Sequence, residues 1–130
     1  MIDPSSNQLT IRRIETLDQL DDLITASSGR PVWIFKHSLT CPVSSKAYRQ
    51  YRRFVDEQLE RQGGAGAETG ETVYALVEVQ NARPVSEAIA ERTGVTHQSP
   101  QALLVKEAAV AWHASHWKIE VRALRRASGS

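Results

Sequence analysis

The chain contains one cysteine, Cys41, within Ser38-Leu39-Thr40-Cys41-Pro42-Val43-Ser44. It follows the apolar run Val32-Trp33-Ile34-Phe35, so a strand ends just before it. Pro42 suits the first position of a helix, where its missing N–H is no loss. Cys41 then stands at the N-cap, facing free backbone N–H groups and the positive end of the helix dipole. Both favour thiolate over thiol, and the thiolate is the nucleophile. The competing reading is a small buried apolar residue. Ser44 occupies the place of the second cysteine in a Cys-x-x-Cys motif, which excludes a dithiol mechanism. Any disulfide of Cys41 must therefore join another molecule. Ser44 either donates a hydrogen bond to the thiolate or caps the helix start. Lys36, five residues before the cysteine, is either a cation that activates the thiol or holds a carboxylate, or a solvent-facing lysine at a strand end.

The flanking elements must hold this thiol in place. Thr16-Leu17-Asp18-Gln19 is a capping-box pattern, and Leu17, Leu20 and Ile24 follow at helical spacing up to Gly29. A buried strand is expected over 31–36. A helix is expected over 42–61, with Tyr48, Tyr51, Val55 and Leu59 on its apolar stripe. Lys46, Arg49, Arg52 and Arg53 read as a solvated face of that helix. Gly63-Gly64-Ala65-Gly66-Ala67 lacks the closing Gly-Lys-Ser/Thr of a phosphate loop and reads as a flexible connector. A second strand over 73–79 precedes a helix opened by Pro84 and closed by Gly94, with Val85, Ala88 and Ile89 inward. Two further strands, 102–105 and 109–112, are close enough to form an antiparallel hairpin. The last helix is expected over 117–127, burying Ile119, Ala123, Leu124 and Ala127. This order predicts an α/β domain with a mixed four-stranded sheet flanked by helices, the thioredoxin-like architecture. Residues 1–8 read as a disordered lead-in, 9–127 as one domain and 128–130 as a tail.

The bulk composition narrows the function classes. The 130 residues carry 16 Lys+Arg against 15 Asp+Glu, a net charge of +1, which gives no general case for nucleic acid binding. No apolar stretch approaches the roughly 20 residues that span a bilayer. The first residues lack the basic and apolar regions of a signal peptide. A soluble protein in a reducing cytoplasm is the expectation. His113 and His116 flank Ala114-Ser115, but one cysteine and scattered histidines do not make a metal site, so no metal is expected.

Four segments carry a family resemblance. They are Phe35-Lys36-His37-Ser38 with Thr40-Cys41-Pro42-Val43-Ser44, Val79-Gln80-Asn81-Ala82-Arg83-Pro84-Val85-Ser86, Ser99-Pro100-Gln101-Ala102-Leu103, and Trp112-His113-Ala114-Ser115-His116-Trp117. From about Thr16 to Arg126 the chain resembles the monothiol bacilliredoxins, a thioredoxin-like family of the bacillithiol system. Two features depart from that pattern: the Gly-rich insertion and the absence of Gly from the hairpin turn at Lys106-Glu107-Ala108.

The resemblance implies thiol–disulfide exchange. Bacillithiol combines cysteine, glucosamine and malate, and forms mixed disulfides with protein cysteines under oxidative stress. A bacilliredoxin removes it. Cys41 is the implied nucleophile, flanked by Thr40, Pro42 and Ser44. Ser99-Pro100 is the implied cis-proline segment, with Ser99 presenting backbone groups to the substrate. Ser115 and His116 stand at the expected start of the last helix, whose free N–H groups could receive a malate carboxylate, with Lys36 as a second contact; the other reading is that these residues pack the hairpin end. No tightly bound cofactor is implied. Bacillithiol is the co-substrate; bacillithiolated client proteins and another redoxin or disulfide reductase are the implied partners. The rival readings are a glutathione-linked monothiol glutaredoxin, an iron–sulfur cluster carrier, and a redox-inactive adaptor of the same fold. Known glutaredoxin carriers use Cys-Gly-Phe-Ser, from which Cys41-Pro42-Val43-Ser44 departs.

Overall fold

The computed structural model describes residues 11–61 and 72–129. The expected lead-in over 1–8 and the Gly-rich connector lie outside the described residues. In chain order the elements are β1 (Ile11–Arg13), α1 (Leu17–Ala26), β2 (Val32–His37), α2 (Pro42–Arg61), β3 (Val73–Glu78), α3 (Arg83–Thr93), β4 (Gln101–Lys106), β5 (Ala109–Ser115), a 3-10 turn (His116–Lys118) and α4 (Val121–Ser128). The sheet has five strands, not four, in the order β1-β3-β2-β4-β5. The extra strand is the three-residue β1, which pairs in parallel with β3 at the sheet edge. It is too short for its own apolar alternation to show in the sequence; the exposed backbone edge of β3 recruits it.

β2 runs parallel to β3 and antiparallel to β4. Its six residues are all buried, and their alternation divides the core. Trp33 and Phe35 face a layer with Tyr51, Phe54 and Val55 of α2 and Leu124 of α4. Val32 and Ile34 face Leu20 and Leu23 of α1 and Val85 and Ile89 of α3. Aromatic contacts knit the α2 layer together: Phe35 stacks on Tyr51 at 5.0 Å, and Trp33 meets Phe54 edge-on at 5.2 Å. Removing an aromatic ring from such a core costs about 3–5 kcal/mol.

The capping box of α1 is formed. Thr16 Oγ1 accepts from Gln19 N–H, and Gln19 Oε1 accepts from Thr16 N–H, each at 3.1 Å. Leu20 and Leu23 are the buried positions of this helix, while Leu17 is exposed. Gly94 ends α3 with φ +74°, as its position suggested. The last helix departs from expectation. β5 continues to Ser115, the chain makes one 3-10 turn, and α4 begins only at Val121. Ile119 is extended (φ −85°, ψ 94°) and buried, which breaks the helix before it can start. Gln50 of α2 accepts from Val121 N–H at 3.1 Å, so a tertiary contact sets the true start.

Candidate active site

Cys41 lies where β2 hands over to α2. It is half-buried with a free thiol, and its carbonyl accepts the first intrahelical bond, from Ser45 N–H at 3.1 Å. That is the N-cap position. Gln101 pairs with Lys36 across β2 and β4, so Ser99-Pro100 leaves the sheet at the end where Ser38–Cys41 does. The Ser99–Pro100 bond is cis. Pro100 is buried, and Ser99 Oγ is buried without a hydrogen-bond partner. The cysteine connection and the proline segment therefore adjoin at one end of the sheet.

The connection is fixed by two side chains. Ser44 is fully buried; its Oγ accepts from Ser38 N–H at 2.8 Å and lies 2.7 Å from His37 Nδ1. No hydrogen bond joins Ser44 to Cys41 among the described residues, so its hydroxyl serves the β2–α2 joint. Burial lowers the His37 pKa below that of a free imidazole, and the Glu78 carboxylate partly offsets this. The ring packs on Tyr48 at 5.0 Å. Gln80 holds the other side of the connection. Its Oε1 accepts from Leu39 N–H at 3.0 Å, and its Nε2 donates to Ser38 Oγ at 3.0 Å and Thr40 Oγ1 at 3.4 Å. Thr40 and Pro42 are exposed beside the thiol.

Two expected carboxylate contacts are corrected. Lys36 is neither beside the thiol nor in solvent: it is fully buried on the face opposite α2, and its Nζ donates to the Ser86 carbonyl of α3 at 3.3 Å. Strand alternation decides this, because Lys36 shares the side of Val32 and Ile34. Desolvation lowers its pKa to about 8. Ser115 does not begin the last helix. It precedes the 3-10 turn without a side-chain cap bond, and the His116 N–H is taken by the Pro100 carbonyl at 3.1 Å. His116 has φ +55° and a half-buried side chain, and its backbone bond ties the hairpin end to the proline segment. Trp112 packs on Trp33, while Trp117 is 64 % exposed beneath Lys46 Nζ.

His37, Gln80 and Tyr48 were missed as site residues. His37 and Gln80 lie inside the quoted motifs, and polar residues flanking a reactive cysteine were the available signal. Tyr48 was absorbed into the apolar stripe. No three His, Cys, Asp or Glu side chains converge as metal ligands among the described residues. No helix among them is long and apolar enough to cross a membrane.

A mixed sheet between two helical layers, with a cysteine at a strand-to-helix joint and a cis-proline beside it, defines a thioredoxin-fold thiol protein. Solved structures agree. The fold is similar to that of a candidate oxidoreductase with a thioredoxin fold: TM-score 0.75, 30% identity, covering 94% of this chain and 96% of that one. It is also similar to thioredoxin from Trypanosoma brucei brucei (TM-score 0.65, 13% identity, 92% and 88% covered) and to Fasciola hepatica thioredoxin (0.64, 17%, 89% and 94%). The particular family follows from the sequence itself. Residues 12–124 match the family model described as monothiol bacilliredoxin BrxC, and the chain belongs to that family. Its role is monothiol redox chemistry, with Cys41 the sole cysteine available for it.

Proposed function

We propose that the protein removes bacillithiol from mixed disulfides on client proteins, with Cys41 as nucleophile. The supporting observation is the placement of the only cysteine as a free, half-buried N-cap residue beside the cis Ser99-Pro100 segment, in a chain of the monothiol bacilliredoxin family. The Cys41 thiolate attacks the bacillithiol sulfur of the mixed disulfide. The bond between client sulfur and bacillithiol sulfur breaks as the bond to Cys41 forms. The client leaves as a thiolate, reduced, and takes a proton from water. Cys41 is left oxidised as its bacillithiol adduct. A second bacillithiol thiolate attacks the bacillithiol sulfur of that adduct, releasing the Cys41 thiolate and bacillithiol disulfide. Another redoxin or a disulfide reductase can supply the same reducing step. Exchange speed depends on thiolate fraction, nucleophilicity and the leaving thiol. The Ser99 backbone and Thr40 border the approach to the sulfur, and the reaction requires no bound metal or organic cofactor.

The test is release of bacillithiol from a labelled client, followed by mass spectrometry. Wild type passes through a Cys41–bacillithiol adduct. Cys41→Ser keeps the fold, since serine is a good N-cap, and loses release. Release by the serine variant at the wild-type rate, or a client that keeps its bacillithiol in the presence of wild type, overturns the reading.

A further inference from the structure

A cavity of about 580 Å³ opens on the α2 side of the sheet, with Leu39 of the loop that carries Cys41 in its wall. Arg13, His37, Leu39, Tyr48, Arg52 and Glu78 are among its walls. Small-molecule sites commonly occupy about 300–1,000 Å³. Its place in the fold is informative. β1, β3 and β2 are parallel and end at Arg13, Glu78 and His37, so the cavity adjoins the carboxyl ends of three parallel strands, with Ile11 and Leu76 extending it along the sheet face. Ligands of open α/β sheets bind in that crevice. Leu39 is two residues from Cys41, which keeps their Cα atoms within about 7 Å. His37, also in the wall, is bonded to Ser44 in the first turn after Cys41.

The charges are arranged for an anion. Three arginines face two glutamates around the cavity. Glu78 is already engaged: Arg13 Nη2 lies 3.6 Å from its Oε2, and Asn81 Nδ2 donates to its Oε1 at 3.0 Å. Arg52 is half-buried and forms no ion pair among the described residues. Its charge reaches the Tyr48 phenol, where it opposes the dominant effect of burial. A planar guanidinium with free donors suits bidentate recognition of a carboxylate.

We infer that this cavity holds the malate carboxylates of bacillithiol while its sulfur is at Cys41, with Arg52 as the principal contact and Arg13 and Tyr48 beside it. The inference rests on the function proposed above and supplies the carboxylate site that Lys36 and Ser115 do not. Arg52 is a specificity-determining residue that never touches the reacting sulfurs.

The experiment uses the full chain and one client carrying either bacillithiol or cysteinyl-glucosamine, the same thiol without malate. The wild type removes bacillithiol faster, and added salt reduces that preference. Arg52→Gln lowers the ratio of the two rates about fivefold, the scale of one exposed charge contact. Glu78→Gln raises the ratio, because it removes a competing carboxylate. Free malate at millimolar concentration slows removal of bacillithiol more than removal of cysteinyl-glucosamine. Circular dichroism of each variant confirms the fold. Equal wild-type rates on the two clients, or a ratio unchanged in Arg52→Gln, overturns the cavity assignment while leaving bacillithiol removal standing. Failure of the wild type to process either client overturns the proposed function itself.

Discussion

His37 Nδ1 lies 2.7 Å from Ser44 Oγ, and this contact ties the last residue of β2 to the first turn of α2 across the loop that carries Cys41. The same hydroxyl accepts from Ser38 N–H at 2.8 Å. The residue type that excludes a dithiol mechanism is thus also the residue that fixes the loop. Serine at this position replaces the resolving thiol with a joint, so the adduct on Cys41 must be cleared by a second molecule.

Ser44→Ala should therefore be costly even though it removes one oxygen. It leaves the Ser38 N–H and the His37 ring nitrogen without their partner in a buried place. An orphaned buried polar group costs about 1–3 kcal/mol. Urea unfolding should show a loss in that range with an unchanged slope, and the rate of adduct formation at Cys41 should fall. Stability equal to wild type would place the joint elsewhere.

The hairpin turn gives a stabilising prediction. Glu107 and Ala108 have φ +51° and +62°, the left-handed pair a type I′ turn needs. Neither residue favours that region. Ser27 compensates: its carbonyl accepts from Glu107 N–H at 2.7 Å and its hydroxyl from Ala108 N–H at 2.9 Å. Replacing Glu107-Ala108 by Asn-Gly keeps these backbone donors and relieves the conformational cost. The expected gain is about 1 kcal/mol, seen as a rise in Tm of several degrees.

Lys36 supplies the pH dependence. Its pKa is lowered to about 8 by burial, whereas an unfolded lysine titrates near 10.4. Between these values the unfolded chain binds more protons, so this group makes stability rise with pH across that window. Below pH 8 the fold carries nearly the whole penalty, on the order of 3 kcal/mol. Lys36→Met abolishes it and loses only the bond to the Ser86 carbonyl. Its stability relative to wild type should be greatest at pH 7 and decline steadily toward pH 10.5. The buried tyrosines, whose pKa values are raised by desolvation, titrate alike in both proteins and cancel. A difference independent of pH would show that Lys36 keeps the ordinary lysine pKa in the folded state.

Local chemistry explains what could be read in advance. The capping box at Thr16, the left-handed Gly94 and the Cys41-Pro42 helix start each depend on residues within four positions, so the sequence displays them directly. β1 and the start of α4 depend on partners far along the chain: the edge of β3 for one, Gln50 for the other. Lys36 was legible as a residue near the cysteine but not in its direction. One step along a strand reverses the face, and its charge argued for solvent while its register demanded the interior. Arg52 looked like one of several surface cations; its place one turn from Tyr48 follows from the helix, but only the fold brings it to Arg13.

Gln80 links the site to β3 and gives the last prediction. Its amide makes three hydrogen bonds to the loop, at Leu39 N–H, Ser38 Oγ and Thr40 Oγ1. All are exposed, so water largely replaces them when they are lost and they add little to global stability. They restrain a segment whose ends are already held, at His37 by the sheet and at Ser44 by its hydroxyl. Gln80→Ala should consequently leave global stability within about 1 kcal/mol while loosening residues 38–40. Hydrogen exchange at Leu39 should accelerate markedly, because its amide loses its acceptor on Gln80. Adduct formation at Cys41 should slow severalfold, since a mobile loop presents the sulfur less often in the attacking geometry. Gln80→Glu tests the cause. The carboxylate still accepts from Leu39 N–H but cannot donate to Ser38 and Thr40, so Leu39 protection should largely return. A rate that recovers with it assigns control to the Leu39 anchor; a rate that stays low assigns it to the hydroxyl contacts beside the thiol. Unchanged exchange at Leu39 in the alanine variant would instead show that the loop holds its shape without Gln80.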